Sequence, residues 1–135
     1  MHYIKQEHKY GCGIACVAMA TGKSYKEILK LVPIEITDFN KKGIAPESIQ
    51  SILNELGYRN ELRYRTILHS QNKRDDLRYN FADILIFQKG NHFLMSVCDW
   101  IYDSALTFTD SYSVMDISEN EIISVVGVWD KPKEA

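Results

Sequence analysis

The stretch that decides the fold is QEHKYGCGIACVAMATG, from Gln6 to Gly22. Its second part, Cys12 to Ala20, is a run of small and apolar residues without a charge. Such a run, in a first half that reads helical, predicts a helix. Gly22 ends it, because glycine accepts the left-handed conformation that follows a last helical turn. Cys12 then stands at the helix N-terminus, where unpaired backbone N–H groups and the helix dipole favour an anionic sulfur. Gly11 and Gly13 flank it and are expected to let a substrate approach the backbone closely. Cys16, one turn further on, is expected to be a packed core thiol.

Working outward, Ser24-Tyr25-Lys26-Glu27 is a capping box that opens a short helix carrying Ile28, Leu29, Leu31 and Val32 and stopped by Pro33. A loop runs from Glu35 to Gly43. Pro46 suits the first position of a third helix, in which Ile49, Ile52, Leu53 and Leu56 recur at helical spacing before Gly57. The second half is rich in strand formers. Strands are expected over Leu62 to Leu68, Ala82 to Gln88, His92 to Asp99, Tyr102 to Thr109 and Val125 to Trp129, with a turn at Lys89-Gly90-Asn91. The polar stretch from His69 to Tyr79 reads as an exposed loop or short helix. Ser118-Glu119-Asn120-Glu121 reads as a second capping box opening another short helix. Helices first, then mostly antiparallel strands, give an α+β layout.

Length and composition fit this. The chain has 135 residues, enough for one domain, expected over 1–135 with a frayed tail at 130–135. Its apolar fraction is 45% and its formal net charge −2, which supports a core and argues against a cationic nucleic-acid footprint. No run approaches the ~20 apolar residues needed to cross a bilayer. Three cysteines without a CxxC pair, Cys12, Cys16 and Cys98, suit neither a disulfide framework nor a structural zinc site. Reduced thiols and a cytoplasmic location are the expectation. Cys98, alternating with Ser96 and Leu94, is expected in the core.

Other polar residues suggest chemistry for Cys12. His92 opens a strand directly after a turn, and Asp110 ends the next strand. A Cys–His–Asp set lets the imidazole take the thiol proton while the carboxylate orients the ring. Gln6, six residues before Cys12, is a candidate oxyanion donor together with the Cys12 backbone N–H. Asp99 and Asp103 are rivals to Asp110, read as solvated groups near a turn. His8 is expected to be an exposed loop residue. His2 and His69 show no metal-ligand spacing.

The pattern Gln6-x5-Cys12-Gly13-x-Ala15-Cys16-x-Ala18-Met19 resembles the opening motif of the bacteriocin-processing, double-glycine peptidases. Gly43-Ile44-x4-Ile49-x3-Leu53-x2-Leu56-Gly57 is similar to that family's second helical segment. His92 to Val97 resembles its histidine strand, and Thr109-Asp110-Ser111 its aspartate segment. Two positions depart: Gly11 stands where the family commonly has Asp, and Ser111 where it often has Pro. The resemblance implies a papain-like α+β fold, an N-terminal helical layer packed on a twisted antiparallel sheet. It implies a cysteine peptidase with Cys12 as nucleophile, His92 as general base and acid, Asp110 as orienter and Gln6 in the oxyanion hole. No cofactor and no metal are expected. The implied partners are a peptide or protein substrate, with a Gly-Gly leader peptide as one candidate, and a peptide-exporting ABC transporter. The alternatives are a papain-like effector or toxin with deamidase or transferase activity on a protein, which would be secreted, and a non-enzymatic peptide-binding module.

Overall fold

A computed structural model describes residues 3–8, 10–32, 43–64, 81–98, 100–104, 111–113 and 122–129. Three helices come first: α1 Cys12–Thr21, α2 Tyr25–Leu29 and α3 Pro46–Glu55. Six strands follow: β1 Asn60–Tyr64, β2 Ile84–Lys89, β3 His92–Val97, β4 Trp100–Tyr102, β5 Ser111–Ser113 and β6 Ile122–Val128. They form one antiparallel sheet in the order β1-β6-β2-β3-β4-β5.

The helices start and stop where local chemistry dictates. Gly22 takes φ 73° after α1 and returns its N–H to the Ala18 carbonyl. Ser24 and Glu27 exchange both capping-box bonds at the start of α2. This helix ends at Leu29, before Leu31 and Val32, and Pro33 lies outside the described residues. Proline occupies the first turn of α3, and the buried face of that helix is Ile49, Ile52 and Leu53. α1 has no polar face at all: every residue from Cys12 to Met19 is buried. It packs on β3 and against both other helices, while α3 lies on β1 and β6.

Strand alternation separates two clusters on the two sheet faces. Ile84, Ile86, Phe93, Met95, Val126 and Val128 join the helices in the main core. Leu85, Phe87, Leu94, Ile101, Ile122 and Val125 form the second cluster. Ile122 reaches that second face through a bulge. Gln88 pairs with Ser124 and Lys89 with Ile122, which leaves Ile123 as an extra, exposed residue.

Several expectations change, and β1 and β6 begin at Asn60 and Ile122, ahead of the expected Leu62 and Val125. The β3–β4 hairpin is tighter than the alternation suggested: Val97 already pairs with Trp100. Cys98 takes φ 52° there and is exposed, not packed in the core. β4 accordingly spans Trp100–Tyr102 and ends before Asp103, and the strand expected to run to Thr109 does not start at Tyr102. Residues 105–110, the stretch from His69 to Tyr79 and the helix expected after Ser118 lie outside the described residues. Among the described residues no helix is long and apolar enough to cross a membrane.

Candidate active site

Gly11 is the N-cap of α1 and offers no side-chain cap, so the first turn begins with Cys12. Glycine is required here by packing. A Cβ on Gly11 would lie 1.9 Å from the Tyr25 hydroxyl oxygen. A Cβ on Gly13 would lie 2.9 Å from the Ile44 side chain and close to the Phe93 ring. Both glycines therefore admit core side chains, where the sequence suggested substrate. Tyr25 itself is buried, and burial pushes its hydroxyl up from the ordinary tyrosine range. Its oxygen is 3.0 Å from His8 Nδ1 and the two rings stack. His8 is thus half-buried and held, in contrast to the exposed loop position expected.

The Cys12 sulfur is the meeting point of helix and sheet. Phe93 donates its backbone N–H to Cys12 Sγ at 3.3 Å, which ties α1 to the start of β3. The neighbouring residue His92 is close enough for Cys12 to be among the causes that raise its imidazole. His92 Nε2 lies 2.7 Å from Asp103 Oδ1. The Asp103 carboxylate, followed by the Cys12 contact, raises His92 from 6.5 to about 9, against the opposing effect of burial. The imidazole is therefore protonated at neutral pH. Cys16 differs in kind: it is fully buried, and desolvation, then Cys12 and Asp103, push its thiol upward. It stays a neutral core residue.

The structure thus brings Cys12, His92 and Asp103 together. Asp103 is half-buried and ion-paired, not solvated. Asp110 lies outside the described residues. The signal that could have singled out Asp103 is the hairpin: with Val97 paired to Trp100, Asp103 is the first residue past the end of β4, on the side of the sheet edge where β3 begins.

Gln6 is fixed from three sides. Its N–H donates to the Ser104 carbonyl at 3.2 Å. Its Oε1 accepts from Ser104 Oγ at 2.9 Å. Its Nε2 donates to the His8 carbonyl at 3.0 Å. That carbonyl also accepts the Gly11 N–H at 3.0 Å. Gln6 is thereby tied to the turn that leads into α1. A cavity of about 310 Å³ opens beside Cys12, lined by Tyr10, Gly43, Ile44, Gln88, Asn91 and Phe93. Among the described residues no group of three or more His, Cys, Asp or Glu could hold a metal ion.

No family model and no curated protein matches the sequence. Among solved structures, the chain is similar to the peptidase domain of Streptococcus ComA, described as a bi-functional ABC transporter involved in a quorum-sensing pathway. The identity is 20% and the TM-score 0.58, over 95% of this chain and 98% of that one. The likeness is one of fold. With helices packed on one face of an antiparallel sheet and a cysteine at the head of the buried helix, the chain has an α+β fold like that of this peptidase domain.

Proposed function

We propose that this chain is a cysteine peptidase in which Cys12 is the nucleophile, His92 the general acid and base, and Asp103 the residue that orients and charges the imidazole. The observation that carries this reading is the His92 ring hydrogen-bonded to the Asp103 carboxylate, directly before Phe93, whose backbone N–H meets the Cys12 sulfur. Asp103 takes the role that the sequence suggested for Asp110. Gln6 and the Cys12 backbone N–H are the oxyanion donors.

The chemistry follows from the charges. The Cys12 thiol proton passes to His92, and the freed sulfur attacks the scissile carbonyl carbon, so a C–S bond forms as the carbonyl oxygen becomes an oxyanion. Donors fixed beforehand stabilise that oxygen without reorganising. Protonated His92 gives its proton to the leaving amine nitrogen, the C–N bond breaks, and a thioester remains. Water then attacks the thioester, with His92 taking its proton, and Cys12 is released. Asp103 keeps the ring turned toward the sulfur through both steps and favours its charged form each time it holds the second proton.

The substrate is a peptide in extended form entering the cavity beside Cys12. Its modest volume and the backbone of Gly43 in its wall favour small side chains next to the scissile bond, and a Gly-Gly leader peptide is the candidate. The likeness to a transporter's peptidase domain supports a peptide exporter as partner and a cytoplasmic site of action. The test is cleavage of peptides carrying an internal Gly-Gly, followed by mass spectrometry, with the wild type and Cys12→Ala. Cleavage after Gly-Gly by the wild type alone is expected. A one-unit mass gain on a glutamine without cleavage would replace this reading by deamidation. Unimpaired binding with an unreactive Cys12 would replace it by a binding role.

A further inference from the structure

Ser104 sits directly after Asp103, is fully buried, and spends its hydroxyl on Gln6. The direction of that bond can be deduced. The His8 carbonyl can only accept, so the nitrogen end of the Gln6 amide must face it. The oxygen end then faces Ser104, whose hydroxyl must donate. An amide whose ends are held by opposite partners has one allowed orientation. With the hydroxyl removed, the amide loses this donor on its oxygen, and a turn about its last bond is resisted less strongly.

We propose that Ser104 is a positioning residue for the oxyanion hole, locking the Gln6 amide with its N–H groups toward the turn that precedes Cys12. This rests on the peptidase reading above. Ser104 and Asp103 then divide one short segment between two tasks: Asp103 sets the charge of His92, and Ser104 sets the orientation of Gln6. The two tasks can be separated by measurement, because alkylation of a cysteine forms no tetrahedral oxyanion whereas amide hydrolysis does.

The experiment compares the wild type with Ser104→Ala, Ser104→Thr, Gln6→Ala and the Ser104→Ala/Gln6→Ala double variant on a fluorogenic peptide amide ending in Gly-Gly. Iodoacetamide labelling of Cys12 is followed in parallel. Loss of one neutral hydrogen bond corresponds to about a fivefold to tenfold change in rate. Ser104→Ala is expected to lower kcat by about that factor, with KM and the labelling rate unchanged. Ser104→Thr keeps a hydroxyl and should restore most of kcat. In the Gln6→Ala background, Ser104→Ala should cost nothing further. The proposal is overturned if kcat is unchanged in Ser104→Ala, if labelling slows as much as hydrolysis, or if the loss persists without Gln6. Full activity in Cys12→Ala would instead overturn the peptidase reading, and this inference with it.

Discussion

Replacing Asp103 by asparagine keeps an oxygen that can accept from His92 Nε2 and removes the negative charge. Asp103 is the largest cause of the rise of His92 from 6.5 to about 9, ahead of Cys12, while burial acts in the opposite direction. An opposite charge in direct contact moves a titration by about 1–3 pH units. In the wild type the protonated ring persists until the pH reaches about 9, so kcat/KM for a Gly-Gly peptide amide should fall on an alkaline limb near that value. In Asp103→Asn the limb should move down by about one unit or more, toward 6.5. At pH 8.5 the variant should then lose about threefold more than it loses at pH 6 for a one-unit move, and more than about tenfold for a full return to 6.5, since each unit past a titration is about tenfold in the active form. The height of the profile also drops, because an asparagine can turn its amide toward the ring, so the position of the limb is the quantity to read. Direct observation of the His92 ring by 15N NMR across the same range gives the titration independently of turnover. A limb that stays near 9 in Asp103→Asn, or one that moves in Asp110→Asn instead, refutes the assignment.

Stability should carry the same signature. A histidine whose folded value is raised contributes stability that is fully present below 6.5 and is lost as the pH rises through about 9, so the melting-temperature gap between wild type and Asp103→Asn should narrow across that window. At pH 6, iodoacetamide should label Cys12 ahead of exposed Cys98, and Cys16 only after unfolding; equal rates at all three, read by peptide mapping, would oppose a reactive role for Cys12. Gly11→Ala forces a methyl into the Tyr25 hydroxyl and should destabilise by about 1–3 kcal/mol in chemical denaturation. Tyr25→Phe, which removes that oxygen, should recover part of the loss. Leu53→Ala, at a fully buried position of α3, should cost about 2–5 kcal/mol by the same measurement.

Much of the framework was legible because single residues carry it. Gly22, the Ser24–Glu27 box and Pro46 mark helix ends by local chemistry, and the uncharged run after Gly11 gives away a helix. Cys12 and His92 stand at the starts of their elements, positions that periodicity locates well. Asp103 ranked behind Asp110 in the sequence, as a rival read as solvated, for a specific reason. Two-residue hairpin loops usually advertise themselves with glycine or asparagine, and here the left-handed position is held by Cys98. Without that cue the alternation of His92 to Asp99 runs on as one strand, and the next strand slides toward Asp110. The fold to which Gly11 and Gly13 belong hid a second point. A glycine beside a nucleophile suggests an opening for substrate, but only the packing of Tyr25 and Ile44 shows what fills the space. The exchange between Gln6, His8 and Ser104 joins residues almost a hundred positions apart and has no periodic trace.

The β3–β4 hairpin also bears on how such sites can diverge. His92 and Asp103 are separated by 11 positions along the chain, yet they meet because β3 and β4 lie side by side. Their separation in sequence measures the length of the hairpin that runs away from the site; their distance in space is set by pairing. Residues can be added or removed two at a time, one on each strand at the distal end, and the catalytic end does not register the change. Searches that demand a fixed interval between histidine and aspartate would therefore select for hairpin length, a quantity the chemistry does not sense. Cross-strand pairing is the invariant that evolution of this site would have to respect.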